Sequence, residues 1–412
     1  DDGGSSMVDA APATSGEVPR DLTQDARDRL EEAAGVLKRA RRPLLVFGKG
    51  ASFCRLEDLA TAAVEELQVP FVCASMARGL VGGPSSHPRD GTSVRTLCLS
   101  RCDVAVLIGT RLNWLLQFGR FPPWSHGCRF ILIDICRQEL ERRAQDPVLQ
   151  RRSHCVHAHA REALPLLVRK VKGQLTMQSD WPVDIELAAH GKLDRMEPWT
   201  PTAGDSPATS EPPPYTLKYD EILHVLQYHL DRLDTYPVIV SEGANTMDFC
   251  RELIRIRRPR GYLDAGTWGT MGSAIGYAIA NAVARAREWT VVVQGDSSFG
   301  FNAFEIETVV RYELPIIILV FNNGGVYGQD RRNPAELAGT ALKDPSPQFI
   351  PQLAYHSIMS ACGGHGYACS TLQALHNALE HSMQAEQRKP TLVNIYMDPS
   401  DGQESGSMHQ TV

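Results

Sequence analysis

The ten cysteines fall singly, at 54, 73, 98, 102, 128, 136, 155, 250, 362 and 369, with no CxxC and no paired Cys/His spacing. That excludes a zinc ribbon and a disulfide scaffold, and it points to free thiols in a reducing compartment. No apolar run approaches the roughly 20 residues that cross a bilayer, and no secretory signal opens the chain. Excess positive charge is also missing: the formal net charge is -6. Neither nucleic acid nor an anionic membrane is therefore an expected partner. No internal repeat is visible. His154, His157 and His159 alternate near Cys155, as weak metal ligands or as a solvated strand end.

What is there is ordinary globular material, 43% hydrophobic and 22% charged. A length of 412 residues suits two or three domains. Pro43-Leu44-Leu45-Val46-Phe47 and Val104-Ala105-Val106-Leu107-Ile108 read as strands ending at glycine. Phe130-Ile131-Leu132-Ile133-Asp134 is a third, ending in an acid. Gly48-Lys49-Gly50 lacks the third glycine of a dinucleotide fingerprint. Residues 1–22 are expected to be disordered, 23–175 to form an α/β domain, 176–214 a linker, 215–398 a second α/β domain and 399–412 a tail. The linker is proline-rich over 197–214. A helix is expected over Tyr219 to Leu230.

The chemistry lies between 290 and 325. Thr290-Val291-Val292-Val293-Gln294 is a short β-branched strand, stopped by Gly295-Asp296. Asn302 and Glu305 stand at capping-box-like spacing, with Ala303, Phe304, Ile306, Val309 and Val310 at helical spacing. Leu314 to Phe321 is a second buried strand, closed by Asn322-Asn323-Gly324-Gly325. Such a unit is a right-handed parallel crossover, so both loops lie at one carboxyl edge, where open α/β sheets bind ligands. Asp296 offers an anionic oxygen, Asn323 a neutral carbonyl, and the glycine turn backbone carbonyls. Mg²⁺ takes such oxygens together with phosphate, and amides near Ser297 and Ser298 suit the phosphate itself. The bland alternative is a plain βαβ unit with ordinary turn residues.

This pairing resembles the thiamine diphosphate signature, Gly-Asp-Gly/Ser followed at this distance by Asn-Asn. Ser241-Glu242-Gly243-Ala244-Asn245-Thr246-Met247-Asp248, the run Leu263 to Gly272, and Asn322 to Gly328 resemble the 2-hydroxyacyl-CoA lyase and oxalyl-CoA decarboxylase group. Phe47-Gly48-Lys49-Gly50 and Arg111-Leu112-Asn113-Trp114-Leu115-Leu116 are similar to that group's middle domain. Asp330-Arg331-Arg332-Asn333-Pro334 and Gly363-Gly364-His365-Gly366-Tyr367 favour the lyase. The resemblance implies two doubly wound parallel-sheet domains, a nucleotide-binding-like middle domain and a thiamine diphosphate domain.

By resemblance, Asp296, Asn323 and the Gly325 carbonyl hold Mg²⁺. Ala244, Asn245, Thr246, Gly269, Gly295, Ser297, Ser298, Val326 and Tyr327 contact thiamine diphosphate. Met271 supports the bent cofactor, or else is a core methionine. Tyr327 is the one candidate catalytic side chain, or else a packed aromatic. Lys49, Arg111 and Asp134 touch the ADP part of CoA or of a nucleotide, or else are surface salt-bridge residues. Ser405 lies in a substrate loop, where Ser407 replaces a basic residue.

The implied reaction cleaves a 2-hydroxyacyl-CoA to a fatty aldehyde and formyl-CoA, with the cofactor as electron sink. Oxalyl-CoA decarboxylation is one alternative, and a non-catalytic nucleotide-binding or assembly module is the other. The glutamate that pairs with the cofactor's pyrimidine belongs to an N-terminal domain in this group. Middle-domain-like text begins here by about residue 25, so that domain is expected to be absent and the chain inactive alone. Glu242, Glu305 and Glu307 match no such glutamate motif. A homo-oligomer is expected. So is an intracellular place, peroxisomal or cytosolic, although Gln410-Thr411-Val412 is no Ser-Lys-Leu-type address.

Overall fold

A computed structural model describes residues 22–82, 87–193, 199–201, 216–285, 288–326, 348–350, 352–384 and 388–402. The expectations for Tyr327, for 330–334, for Ser405 and Ser407, for the last three residues and for all of 1–22 except Leu22 lie outside them.

Short β-branched runs form the strands, because they are buried on both faces and flanked by helices. The first sheet holds β1 (Pro43–Phe47), β2 (Phe71–Cys73), β3 (Val104–Ile108), β4 (Arg129–Asp134) and β5 (Ser153–His157). Its order is β2-β1-β3-β4-β5, and every pair is parallel. The second holds β6 (Val238–Glu242), β7 (Tyr262–Asp264), β8 (Thr290–Gly295), β9 (Ile316–Asn322), β10 (His365–Cys369) and β11 (Thr391–Tyr396). Its order is β10-β11-β9-β8-β6-β7, again parallel throughout. Both are doubly wound α/β domains. The strand expected over 314–321 starts two residues later, because Pro315 has no N–H for the ladder and Leu314 is held in a turn by the Ile316 amide at 2.7 Å.

The stretch expected to be linker carries a helix, Asp180–Leu193. Trp181 and Ile185 are buried in the first domain beside Leu44 and Val46, and Trp181 Nε1 donates to the Pro43 carbonyl at 2.7 Å. These two apolar anchors hold the helix to the domain. The helix after β8 also starts differently. Asn302 makes no cap bond and donates instead to the Gly272 carbonyl at 3.0 Å. The chain enters through a 3-10 turn, Ala303–Glu305, before the helix Ile306–Arg311.

The two domains are tied by side chains on backbone. Arg78 is buried and donates to the Cys250 carbonyl at 3.0 Å and to the Ile254 carbonyl, at the C-terminus of the helix Ala244–Leu253. A cation there also complements the helix dipole. Trp114 Nε1 donates to the Thr267 carbonyl at 2.6 Å, and Arg260 pairs with Glu57.

Behind the second sheet, the helices Tyr219–Leu230 and Leu372–Gln384 enclose two imidazoles. His229 Nε2 lies 3.0 Å from His376 Nδ1, and Trp199 packs on the His376 ring at 4.8 Å. Burial, then His376 and Arg232, push His229 down from 6.5 to about 4. The folded state thus binds fewer protons than the unfolded chain between these values. Its stability is complete above pH 6.5 and falls as pH drops towards 4, by about 3 kcal/mol. Urea midpoints of the second domain at pH 7 and pH 4.5 check this: His229→Gln is expected to flatten the loss.

Candidate functional site

The second sheet reverses direction between β6 and β8, and the loops after these strands open a crevice there. Gly243 ends β6 at φ +97°, a left-handed conformation that a side chain resists. A Cβ on it would meet the Gly295 nitrogen at 3.3 Å. The two loops therefore close on each other, and the helix Ala244–Leu253 begins at the crevice. Asn245 and Thr246 are buried there, and Thr246 Oγ1 lies 3.3 Å from the same construction on Gly295.

Asp296 follows at once and is 2% exposed. One carboxylate oxygen accepts the Ser297 amide at 2.7 Å. The other accepts the amides of Gly324 at 2.9 Å and Gly325 at 3.0 Å. The β8 and β9 loops, 28 residues apart, are thus one structure. Gly324 and Gly325 both hold positive φ, at 77° and 152°, which turns their N–H groups onto Asp296. Asn323 is buried beside them. Burial pushes the Asp296 carboxyl up to about 7, against the three amides that pull it down. A carboxylate so costly to ionise, with amide and carbonyl oxygens next to it, fits a hard divalent cation. The residues present therefore suit Mg²⁺ and the diphosphate it clamps.

The other expected cofactor residues divide. Ser297 lies on the short helix Asp296–Phe299 with its side chain partly exposed, whereas Ser298 is buried and donates its hydroxyl to the Gly295 carbonyl at 3.0 Å. Gly269 and Met271 sit on the loop between β7 and the next helix. Met271 is half-buried and belongs to neither core, so the core-methionine alternative does not hold. Val326 stands partly exposed at the end of the glycine turn.

Glu242 has another job. It is fully buried, and its carboxylate accepts the amides of Gly272, Ser273 (2.7 Å) and Ala274 and the Ser273 hydroxyl (3.1 Å). It caps the helix Ala274–Ala284 from a different strand. Glu305 and Glu307 are exposed, and Glu307 pairs with Arg311. None of the three is available as a proton relay.

In the first domain, Lys49 and Arg111 follow β1 and β3 and Asp134 ends β4, neighbouring strands on one carboxyl edge. Asp134 accepts the Cys136 amide at 2.8 Å. Sequence reasoning missed a second basic feature. A cavity of about 570 Å³ between the domains is lined by Thr92, Arg95, Trp114, Asp248 and Arg251. Arg251 is matched by Asp264 at 2.8 Å and Asp248 at 3.1 Å. Arg95 makes no hydrogen bond or ion pair among the described residues, and burial lowers its pKa against the pull of Asp248 and Glu252. Asp248 lies one helical turn beyond Asn245 on the same helix. No local pattern marks Arg95, since the charged groups that face it lie about 150 residues away.

Among the described residues, no helix is long and apolar enough to cross a membrane. Residues 30–165 match the thiamine pyrophosphate enzyme central domain, and 242–395 match the thiamine pyrophosphate enzyme C-terminal TPP binding domain. A 2-hydroxyacyl-CoA lyase of Oryza sativa subsp. japonica is 41% identical over 98% of this chain, which spans 67% of that protein. The 2-hydroxyacyl-CoA lyase 1 of Homo sapiens is 36% identical over 92% of this chain and 63% of its own length. The oxalyl-CoA decarboxylase of Escherichia coli K12 is 34% identical over 91% and 62%. On these matches the chain belongs to the thiamine diphosphate-dependent family of 2-hydroxyacyl-CoA lyases and oxalyl-CoA decarboxylases, whose members are carbon–carbon lyases.

Proposed function

We propose that this chain supplies the Mg²⁺–diphosphate and acyl-CoA part of an enzyme cleaving a 2-hydroxyacyl-CoA to a fatty aldehyde and formyl-CoA. The carrying observation is Asp296, buried, with the β9 glycine turn folded onto it. Asp296, the Asn323 side chain and the Gly325 carbonyl hold the cation. Ala244, Asn245, Thr246, Gly269, Gly295, Ser297, Ser298, Val326 and Tyr327 lie along the cofactor, with Met271 beneath it. Thiamine diphosphate, when bound, supplies the electron sink for breaking the bond beside the substrate carbonyl carbon. The protein orients the two and excludes water.

The acyl-CoA lies with its phosphates in the interdomain cavity, where the Arg95 side chain makes no hydrogen bond among the described residues. Lys49, Arg111 and Asp134 take ADP or the distal nucleotide. Calorimetry with coenzyme A tests this division: Arg95→Ala is expected to weaken binding about 10-fold, the worth of one charge-assisted hydrogen bond. Equal binding by the variant would remove Arg95 from the substrate site.

The lyase is preferred to the decarboxylase because the plant lyases share 41% identity with this chain and the decarboxylase 34%. Parallel assays with 2-hydroxyacyl-CoA and oxalyl-CoA decide between them. Since Glu242 is engaged as a helix cap, turnover requires a carboxylate from outside the described residues, and the described part is expected to bind cofactor without catalysis. Robust lyase activity from the chain by itself would overturn this. A non-catalytic module is the reading left if thiamine diphosphate does not bind. Trp268, 92% exposed, and Phe304, 88% exposed, support burial of apolar surface in an oligomer. The free thiols support a reducing compartment, the cytosol or the peroxisome.

A further inference from the structure

Asn322, the last residue of β9, and Asn394 of β11 are buried in the sheet, Asn394 to 0% exposure. Their amides form a closed set. Asn322 Nδ2 donates to the Leu353 carbonyl at 3.0 Å and to Asn394 Oδ1 at 3.1 Å. Asn394 Nδ2 donates to the same Leu353 carbonyl at 2.9 Å. The ladder pairs Asn394 with Val320 and Tyr396 with Asn322, so the contact runs diagonally across two strands.

Leu353 belongs to the segment that returns to the sheet after the glycine turn. The same segment is tied to the turn itself. The Phe349 amide donates to the Gly324 carbonyl at 3.0 Å, and Gln348 bridges Gly325 in antiparallel fashion. Outgoing and returning chains are thus fastened twice, at 324–325 to 348–349 and at 322 to 353. A fully buried amide in a central strand is expensive unless all its bonds are made, and an apolar β-branched side chain would suit that position better. Asn394 touches neither Asp296 nor Asn323; what its bonds fix is the backbone that carries Gly324 and Gly325.

We infer that Asn394, through Asn322 and the Leu353 carbonyl, is a positioning residue for the metal loop. It holds the Gly324 and Gly325 amides on Asp296 and so sets the Asn323 and Gly325 oxygens. This rests on the metal reading of that loop. Outer partners that orient metal ligands typically change metal affinity 10- to 100-fold when removed.

The test compares Asn394→Leu, which keeps the branching but not the amide, and the smaller Asn394→Ser with Leu392→Ala. Leu392 is buried on the same strand, so its truncation destabilises the sheet by leaving a cavity without touching the amide set. Hydrogen exchange is read on a peptide spanning Gly324 and Gly325, and Mn²⁺ binding on the whole chain. The Asn394 variants are expected to exchange at least about 10-fold faster there and to bind Mn²⁺ about 10- to 100-fold more weakly. Leu392→Ala is expected to melt lower with both readings unchanged. Unaltered exchange at Gly324 and Gly325 in the Asn394 variants overturns the inference, whether or not Mn²⁺ binds. The same change in Leu392→Ala also overturns it, because the effect then follows stability alone. If the wild-type chain binds no Mn²⁺ while exchange still responds to Asn394, the clamp stands and the metal reading falls. Should Asn394→Leu fail to fold, Asn394→Ser carries the same comparison.

Discussion

Replacing Asp296 by alanine is expected to abolish the Mg²⁺-dependent binding of thiamine diphosphate while leaving the chain folded. The two halves of that expectation have separate causes. Asp296 is the only anionic oxygen donor proposed for the cation; Asn323 and the Gly325 carbonyl are neutral. Without it the cation has no charge to offset the loss of its water, and the affinity is expected to fall by more than about 100-fold, beyond the effect of removing an outer partner. Stability faces two opposing terms. Burial raises the Asp296 carboxyl to about 7, so deleting it removes a costly ionisation. Deleting it also strands the amides of Ser297, Gly324 and Gly325, each at roughly 1–3 kcal/mol if they stay buried. The terms are of similar size, so the melting temperature is expected to move by only a few degrees. Calorimetric titration of thiamine diphosphate with and without Mg²⁺, beside a thermal melt, separates them. Mg²⁺-dependent heat that survives in Asp296→Ala would remove this residue from the cation site. Heat absent from the wild type as well would leave the chain as a module without thiamine chemistry.

Glu242→Ala is expected to have the largest effect on stability, about 3–5 kcal/mol off the second domain. One carboxylate there satisfies three backbone amides and a hydroxyl at the start of the helix Ala274–Ala284. An ordinary cap is worth about 1 kcal/mol. This one is fully buried, so no water replaces it, and each orphaned donor carries its own desolvation penalty. Glu242→Gln keeps the size but turns an NH₂ towards N–H donors, so it is expected to recover little. Urea unfolding followed by Trp289, buried in the second domain, measures the shift. A midpoint within error of wild type would show that the helix start is held by something else.

Asp296 and Asn323 were legible in the sequence because each ends a strand that announces itself by β-branched residues. The crossover rule then forces both to one edge. The doubly wound fold and the candidate roles of Lys49, Arg111 and Asp134 came from the family resemblance, carried by motifs at the ends of such strands. The helix over Asp180–Leu193 was not legible, because its apolar residues do not gather on one helical face, and only docking beside Leu44 and Val46 shows which of them are anchors. Asn302 kept its capping spacing but gave its amide to Gly272, a residue 30 positions away.

The sequence by itself therefore determined most of the strands, the α/β class and, through its motifs, the family, and it proposed the loops for the metal. Those depend on periodicity, turn chemistry and short motifs, all of which act over a few residues. Tertiary structure alone decided that Glu242 is a helix cap, that Arg95 faces a cavity between domains, and that Asn394 reaches Leu353. Each of these joins groups tens to hundreds of residues apart. A buried carboxylate, guanidinium or amide acquires its role from the donors and acceptors that folding brings to it, and no local pattern records which those are.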